Sequence, residues 1–271
     1  MTYKLIAIDL DDTLLNTQKT ISKGNETIIK RALQQGIKIV LCSGRTHNAV
    51  KNYADQLGIL GDEQFLITNG GAIIETASQN ILYEEALSNQ FYRDFVSFVK
   101  KNKLHYNVVD DKSNTYTSSE KWFDKYTIAQ AYENDSGLFI REPDELPDDF
   151  QILKAIINGN KDELDNISDL VHQTYDKDYF VVRTGEGFLE VFPQNVNKGS
   201  ALKMLTKKLN IDLENVIAIG DRDNDIPMLK LAGKGIAMGN GQPGVKDVAD
   251  FVTKDNNEDG VGYAIEKFAL N

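Results

Sequence analysis

A short apolar run near the N-terminus, residues 5–8, leads directly into three closely spaced aspartates, Asp9, Asp11 and Asp12. Such a run, bounded by polar residues, is typical of a strand buried in a parallel sheet. The strand would carry Asp9 and Asp11 to its C-terminal end, where open α/β sheets bind ligands. Three crowded carboxylates repel one another unless a cation or strong donors compensate, and Mg²⁺ prefers oxygen ligands. The pattern therefore indicates either a cation site or an acidic, solvated turn.

Further apolar runs alternate with helical segments on both sides of a long central stretch. Candidate strands of this kind cover residues 38–42, 65–68, 216–219 and 235–238. The alternation predicts parallel β-α-β units, and so an α/β fold with a Rossmann-like parallel-sheet core. Between residues 85 and 188 the pattern changes to period-two alternation, typical of antiparallel strands with one wetted face. We therefore expect a core domain of residues 1–84 and 189–271 and an inserted α+β cap domain of residues 85–188.

The acidity of the chain limits the partners that we expect. It has 271 residues, a formal net charge of −11 and a single cysteine, Cys42. An acidic surface disfavours nucleic acid and anionic membranes, although a small anionic substrate can still bind where a site is locally positive. A single cysteine allows no intrachain disulfide and the N-terminus shows no apolar leader, so we expect a cytoplasmic protein with no membrane partner. The oligomeric state stays open, and a monomer is compatible with this composition.

Polar residues recur where the predicted strands end or a helix begins. In chain order they are Asp9 and Asp11, Ser43 and Gly44, Lys198, and Asp221, Asn224 and Asp225. Because the carboxyl ends of parallel strands meet at one edge of a sheet, the groups that follow strands should converge. Taken singly, Ser43 has an ordinary explanation as a helix N-cap and Lys198 as a solvated lysine. A helix start slightly disfavours a cation, which mildly favours a functional role for Lys198.

With these segments in this order, the chain resembles the haloacid dehalogenase (HAD) superfamily of phosphatases. The four matching segments are Asp9-Leu10-Asp11-Asp12-Thr13, Leu41-Cys42-Ser43-Gly44-Arg45, Val196-Asn197-Lys198-Gly199 and Gly220-Asp221-Arg222-Asp223-Asn224-Asp225. The large insertion between the second and the third resembles the cap (type IIB) of the Cof-type subfamily, which are sugar-phosphate and related phosphatases. The resemblance extends over essentially the whole chain.

The resemblance implies a catalytic chemistry. Asp9 would be the nucleophile that forms an aspartyl-phosphate, and Asp11 would be the general acid and base. Mg²⁺ would be held by Asp9, Asp221 and the main-chain carbonyl of Asp11, and would neutralise the phosphoryl group. The substrate would be a phosphate monoester of a small metabolite, such as a sugar phosphate. Catalysis of this kind depends mainly on positioning and on positive charge.

The resemblance also implies a set of groups around the phosphate. Ser43 and the Gly44 N–H would hold phosphoryl oxygens at a helix N-terminus, which suits anions. Lys198 would supply a compact positive charge, and Asn224 would donate to the phosphate. Asp225 would orient metal-bound waters or Lys198 without touching the substrate.

Several residues near these motifs receive no chemical role. Asp12 stands where many family members have glycine, so the local turn is expected to differ. Asp223 is expected to be solvated, Cys42 to be an inert core thiol, and His47 to be a solvated residue at a helix start. Residues 239–244 spell G-x-G-x-x-G, but too few residues follow for a dinucleotide-binding domain, which predicts a flexible loop near the site.

In the capped phosphatases that the chain resembles, the cap lines the leaving-group pocket and sets specificity. Candidate wall residues in the insertion are Tyr106, Tyr116, Trp122, Arg183 and Glu190. Two other functions stay open at this stage. A phosphomutase of the same superfamily would carry the same motifs, and dependence on a sugar bisphosphate would identify it. A non-catalytic metabolite-binding relative is disfavoured, because it would be expected to have lost some of the charged motif residues.

Overall fold

The computed structural model describes residues 3–270. Their contacts divide the chain into two compact units. One, the core unit, combines the chain up to Tyr83 with the chain from Asn197 onward, and the other, the inserted unit, is Glu84–Val196.

The first part of the core unit consists of two strand–helix repeats followed by three strands. Its elements are β1 (Leu5–Asp9), α1 (Lys23–Gln34), β2 (Lys38–Cys42), α2 (His47–Leu57), β3 (Phe65–Thr68), β4 (Ile73–Thr76) and β5 (Ile81–Glu84). Helix α1 begins where the Ser22 hydroxyl accepts a hydrogen bond from the Asn25 N–H, which satisfies one free donor of the first turn. Helix α2 ends at Gly58, whose φ of 82° is accessible to glycine at little cost.

The inserted unit is an antiparallel-rich sheet with three helices among the described residues. Its elements are α3 (Asn89–Lys101), β6 (His105–Asp110), β7 (Thr115–Thr117), α4 (Lys125–Glu133), β8 (Leu138–Ile140), β9 (Ile152–Asn158), α5 (Lys161–Tyr175), β10 (Tyr179–Gly185) and β11 (Phe188–Pro193). The strand order is β10-β11-β9-β6-β7-β8, and among the pairs that these described strands form only β7 with β8 is parallel. The expectation of antiparallel, period-two strands holds for the other pairs.

The chain leaves the inserted unit later than the sequence pattern suggested. Strand β11 pairs with both β9 and β10, so its residues belong to the inserted sheet. The unit therefore extends to Val196 instead of ending at residue 188. Helix α4 was not expected either. It begins with a capping box in which the Asp124 carboxylate accepts from the Thr127 N–H, a signal that is visible in the sequence.

The core unit is completed by the C-terminal part of the chain. Its elements are α6 (Lys198–Lys208), β12 (Val216–Gly220), α7 (Ile226–Leu231), β13 (Lys234–Ala237), α8 (Pro243–Val248), β14 (Phe251–Val252) and α9 (Gly260–Ala269). The eight-stranded sheet has the order β14-β13-β12-β1-β2-β3-β4-β5. Its pairs from β14 to β3 are parallel, and β4 runs antiparallel to β3. The α/β class with a parallel-sheet core is confirmed.

Two apolar layers cover the faces of this sheet. Successive side chains of β1 alternate between them: Ile6 and Ile8 pack into one layer, and Leu5 and Ala7 into the other. Burial on both faces explains why β1 is a continuous apolar run. Because β1 lies between β2 and β12, Asp9 emerges near the middle of the carboxyl edge of the sheet. None of the helices within residues 3–270 has the length and apolar character needed to span a membrane.

Candidate active site

Three buried, charged side chains are linked by hydrogen bonds at the carboxyl edge of the core sheet. Asp9 ends β1, Lys198 begins α6, and Asp225 immediately precedes α7. The Lys198 ammonium donates to Asp9 Oδ1 at 2.5 Å and to Asp225 Oδ1 at 2.6 Å. Burial alone would lower the pKa of Lys198, but Asp225 and Asp9 hold it above its ordinary value. Lys198 is only 1% exposed, so it is not the solvated lysine that its isolated sequence context would suggest.

Asp221 adds a further carboxylate that lacks such a close cation. It follows β12, and its oxygens lie with those of Asp9 and Asp225 in a group whose ligand atoms are all within 4.8 Å of one another. Burial, then Asp9 and Asp225, raise the pKa of Asp221 to about 9. Burial and Asp225 also raise the pKa of Asp9 to about 7, against the opposing effect of Lys198.

The crowding of these three carboxylates indicates whether the site suits a divalent cation. Buried carboxylates that are difficult to ionise together indicate an excess of negative charge, which a cation would neutralise. The group offers hard oxygen donors, the ligand type that Mg²⁺ takes. Asp9, Asp221 and Asp225 therefore fit a hard divalent cation, although Asp225 is already engaged by Lys198.

Hydrogen bonds fix the turn that carries Asp221 and Asp225. Asp225 Oδ2 accepts from the main-chain N–H groups of Asp221, at 2.9 Å, and Arg222, at 3.1 Å. The Thr13 hydroxyl donates to Asp221 Oδ1 at 2.9 Å, so the turn after β1 holds the turn after β12 directly. Gly220 allows this close approach, because a Cβ at that position would lie 2.5 Å from Asp225 Cβ. Sequence reasoning gave Thr13 no role, although it lies within the first motif.

The carboxylate of Asp11 is bound by two cationic side chains, those of Arg45 and Lys19. Arg45 binds it with two hydrogen bonds, from Nε to Oδ2 and from Nη2 to Oδ1, each at 2.7 Å. The Lys19 ammonium donates to Oδ1 at 3.2 Å. Burial alone would raise the pKa of Asp11, but Arg45 and Lys19 outweigh it and the pKa lies below its ordinary value. Arg45 and Lys19 are further residues that the sequence reasoning missed.

The segment after β2 lies beside Asp9. Cys42 is the register partner of Asp9 across the parallel β1–β2 pair, so Ser43 follows directly from that position. Ser43 is 1% exposed, and its Oγ accepts from the Arg45 N–H at 3.1 Å. Its main-chain oxygen also accepts from the Gly70 N–H at 2.9 Å. Ser43 and the half-buried Gly44 thus lie in the loop that leads into α2, and the N-cap of that helix is Thr46 and not Ser43.

The other predicted site residues differ in their surroundings. Asn224 lies in the one-turn segment between β12 and α7, and its Oδ1 is buried with no hydrogen-bond partner in the described chain. Asp223 is exposed, as expected. Cys42 is fully buried, which raises its thiol pKa far above the ordinary value. The expectation for His47 was wrong: it is 7% exposed, and its Nδ1 lies 2.9 Å from Glu75 Oε2.

The candidate wall residues of the inserted unit divide into several groups. Tyr106 is fully buried in the apolar core of that unit, and Tyr116 and Trp122 pack against the same core. Arg183 donates to the main-chain oxygens of Gly185 and Glu186. Glu190, which is 3% exposed, accepts from the Lys154 ammonium at 3.1 Å. Tyr106 is therefore a core residue of this unit and not a wall residue.

The parallel α/β core with its inserted unit, and the charged residues at the carboxyl edge of its sheet, define a class of protein that comparison with known proteins identifies. The model of the haloacid dehalogenase-like hydrolase family matches residues 6–265. The chain belongs to this family, as the motifs predicted.

Curated proteins and solved structures are similar to this chain over almost its full length. The chain is 32% identical to phosphatase YwpJ of Bacillus subtilis, covering 97% of this chain and 99% of that one. It is 33% identical to 5-amino-6-(5-phospho-D-ribitylamino)uracil phosphatase YcsE of the same organism, over 98% and 96% of the two chains. A haloacid dehalogenase-like hydrolase structure from Bacteroides thetaiotaomicron has 33% identity and a TM-score of 0.82, covering 98% and 99%.

Proposed function

We propose that the protein is a Mg²⁺-dependent phosphatase that hydrolyses phosphate monoesters of small metabolites, such as sugar phosphates, through an aspartyl-phosphate. The observation that carries the proposal is the buried group of Asp9, Lys198, Asp221 and Asp225 at the carboxyl edge of the core sheet. It combines a carboxylate nucleophile, a fixed positive charge and oxygen donors for a cation. The names of the two curated relatives, both phosphatases, support the same reaction class.

In this proposal each residue has a separate task. Mg²⁺ held by Asp9, Asp221 and the Asp11 carbonyl would supply charge neutralisation for the phosphoryl oxygens. Asp9 attacks phosphorus, so that an Asp9–phosphorus bond forms as the bond to the leaving oxygen breaks. Lys198 favours the ionised form of Asp9 and orients its carboxylate through the hydrogen bond at 2.5 Å. Ser43 Oγ and the Gly44 N–H bind phosphoryl oxygens, and Asn224 contributes an amide donor.

Asp11 acts as the general acid and base. It gives one to the leaving oxygen and then takes one from the water that attacks phosphorus, which releases inorganic phosphate and restores the Asp9 carboxylate. Arg45 now occupies both oxygens of Asp11 and keeps its pKa low. Asp11 must therefore give up part of this pairing and take up a proton from solvent before it can protonate the leaving oxygen. Arg45 would hold Asp11 ready between turnovers.

The acidic surface and the single cysteine support a cytoplasmic protein that acts on a small anion and not on nucleic acid. We propose that the inserted unit selects the leaving group. One relative is named for 5-amino-6-(5-phospho-D-ribitylamino)uracil, a small phosphate monoester, and that name supports a substrate of this class.

The test is phosphate release from p-nitrophenyl phosphate, with Mg²⁺ or with EDTA, by wild type, Asp9→Asn and Asp223→Asn. Asp223 is exposed and gives a control for the loss of one carboxylate near the site. We expect activity in wild type and Asp223→Asn only, with a phosphoryl adduct on Asp9 after acid quenching. Activity that survives in Asp9→Asn or in EDTA would refute the mechanism, and dependence on a sugar bisphosphate would identify a phosphomutase instead.

A further inference from the structure

Asp12 adopts a left-handed backbone conformation, which aspartate enters more readily than most residues and less readily than glycine. Its φ is 59° and its ψ is 7°, in the left-handed region. For a residue with a Cβ this conformation costs roughly 1–2 kcal/mol, which glycine would not incur. The family resemblance allows glycine here, so the contacts of the Asp12 side chain decide whether aspartate has a role at this position.

The side chain of Asp12 binds Arg222, which is the neighbour of Asp221. Arg222 Nη2 donates to Asp12 Oδ2 at 2.8 Å, and its Nε lies 3.6 Å from Asp221 Oδ2. The guanidinium thus lies between two carboxylates and makes its close hydrogen bond with Asp12. The main chain of Arg222 is fixed as well, because its N–H donates to Asp225. Only the side chain can therefore change partner.

The turn that carries Asp12 is anchored independently of this ion pair. The Asn240 amide donates to the Asp12 main-chain oxygen at 2.7 Å, and Asn240 Oδ1 accepts from the Asn256 N–H at 3.0 Å. The Gln242 N–H, two residues on, donates to the Asp221 main-chain oxygen at 2.9 Å. The G-x-G-x-x-G segment therefore holds both aspartate-bearing turns, and Asp12 keeps its position when its carboxylate is changed.

We infer that Asp12 is a positioning residue that holds the Arg222 guanidinium at this longer distance, 3.6 Å, from Asp221 and prevents a closer pairing. Without the Asp12 carboxylate, Arg222 would pair fully with Asp221 and compete there with a divalent cation. The only other cation that a described contact places at Asp12 is Lys19, at 3.6 Å, and Lys19 also donates to Asp11. The inference rests on the proposed Mg²⁺ site and assigns a function to a residue that the motif leaves unexplained.

The test is a double-mutant cycle on Mg²⁺ affinity in the full-length protein. Wild type, Asp12→Asn, Arg222→Met and the double variant are titrated with Mg²⁺ by calorimetry and, independently, by thermal shift. We expect Asp12→Asn to weaken Mg²⁺ binding by about tenfold, equivalent to about 1.4 kcal/mol. In the Arg222→Met background the same change should have almost no effect, because the competing cation is absent.

Two further variants separate this role from charge and from folding. Asp223→Asn removes one nearby carboxylate and should leave Mg²⁺ affinity close to that of wild type. Asp12→Gly relieves the backbone strain, so it should be at least as thermostable as wild type and yet bind Mg²⁺ as weakly as Asp12→Asn. A purely structural role would lower stability and leave the affinity unchanged.

The outcomes are distinct. Equal losses of affinity from Asp12→Asn with and without Arg222, or no loss at all, would overturn the inference while leaving the phosphatase proposal intact. A wild type that binds no Mg²⁺ would overturn the proposed metal site and this inference with it.

Discussion

Replacing Asp221 with asparagine should stabilise the metal-free protein, which is the reverse of what a mutation at a buried, hydrogen-bonded site normally does. Asp221 is 3% exposed and lies beside Asp9 and Asp225. Burial and these two carboxylates raise its pKa from the ordinary 3.8 to about 9. An asparagine keeps the shape and can still accept the Thr13 hydrogen bond, and it removes the group that resists ionisation.

The sign and size of the effect follow from proton linkage. Below pH 3.8 Asp221 is protonated in both the folded and the unfolded chain, so its ionisation costs no stability there. As the pH rises towards 9 the unfolded chain gives up this proton and the folded chain retains it, and stability is lost over that window. At pH 7 this corresponds to an upper limit of about 4 kcal/mol, from about 1.36 kcal/mol per pKa unit. We expect roughly half of that limit, because the neighbouring carboxylates also adjust.

The assay is thermal unfolding of wild type and Asp221→Asn in EDTA between pH 4.5 and 8, repeated with Mg²⁺. In EDTA the variant should unfold some degrees higher at pH 7.5, at roughly 2–4 °C per kcal/mol, and the difference should shrink towards pH 4.5. With Mg²⁺ the order should reverse, since a ligand of the folded state stabilises wild type. An Asp221→Asn protein that is less stable than wild type in EDTA at pH 7.5 would refute the reasoning.

Three other substitutions test the same electrostatics and packing. Lys198→Met should destabilise the core unit by about 3–5 kcal/mol, measured by urea unfolding, since it leaves two buried carboxylates without their cation; a milder loss would mean that water reaches them. Gly199→Ala should lower the free energy of unfolding by several kcal/mol, on the order of an overpacked core, because an added Cβ would lie 2.6 Å from the Pro227 carbonyl group. Gly44→Ala is the control: no atom lies within 4 Å of its new Cβ, and the change should be close to neutral. In the inserted unit, Glu190→Gln should be more destabilising than the double change Lys154→Met/Glu190→Met, because the first removes only the carboxylate charge opposite a buried ammonium and the second removes both charges; equal stabilities would contradict this.

The sequence was informative about the core sheet for a physical reason. Strands buried on both faces must be continuous apolar runs, and β1, β2 and β12 are such runs. Each ends in polar residues because the chain leaves the apolar layer there. The placement of Asp9, Ser43 and Asp221 at one sheet edge could therefore be expected from strand order alone.

The partners of these side chains were less accessible to sequence reasoning. Lys198 reads as a surface lysine because nothing local shows that α6 directs its first residue into the sheet edge. Arg45 and Lys19 both bind Asp11, but they come from different loops that only the tertiary fold brings together. The later end of the inserted unit was missed for a similar reason, since strand pairing across the chain decides which sheet β11 joins.

The balance of charge at the site indicates where a cation is needed. Asp11 is bound by Arg45 and by Lys19, and Asp225 is bound by Lys198 and by two main-chain N–H groups. Lys198 is shared with Asp9, so one ammonium serves two carboxylates. Asp221 has a neutral hydroxyl and an arginine that binds more closely elsewhere. The uncompensated charge therefore lies between Asp9 and Asp221. Burial, and then the neighbouring carboxylates, raise the pKa of both groups, and a divalent cation bound there would favour the ionised Asp9 that the proposed attack requires.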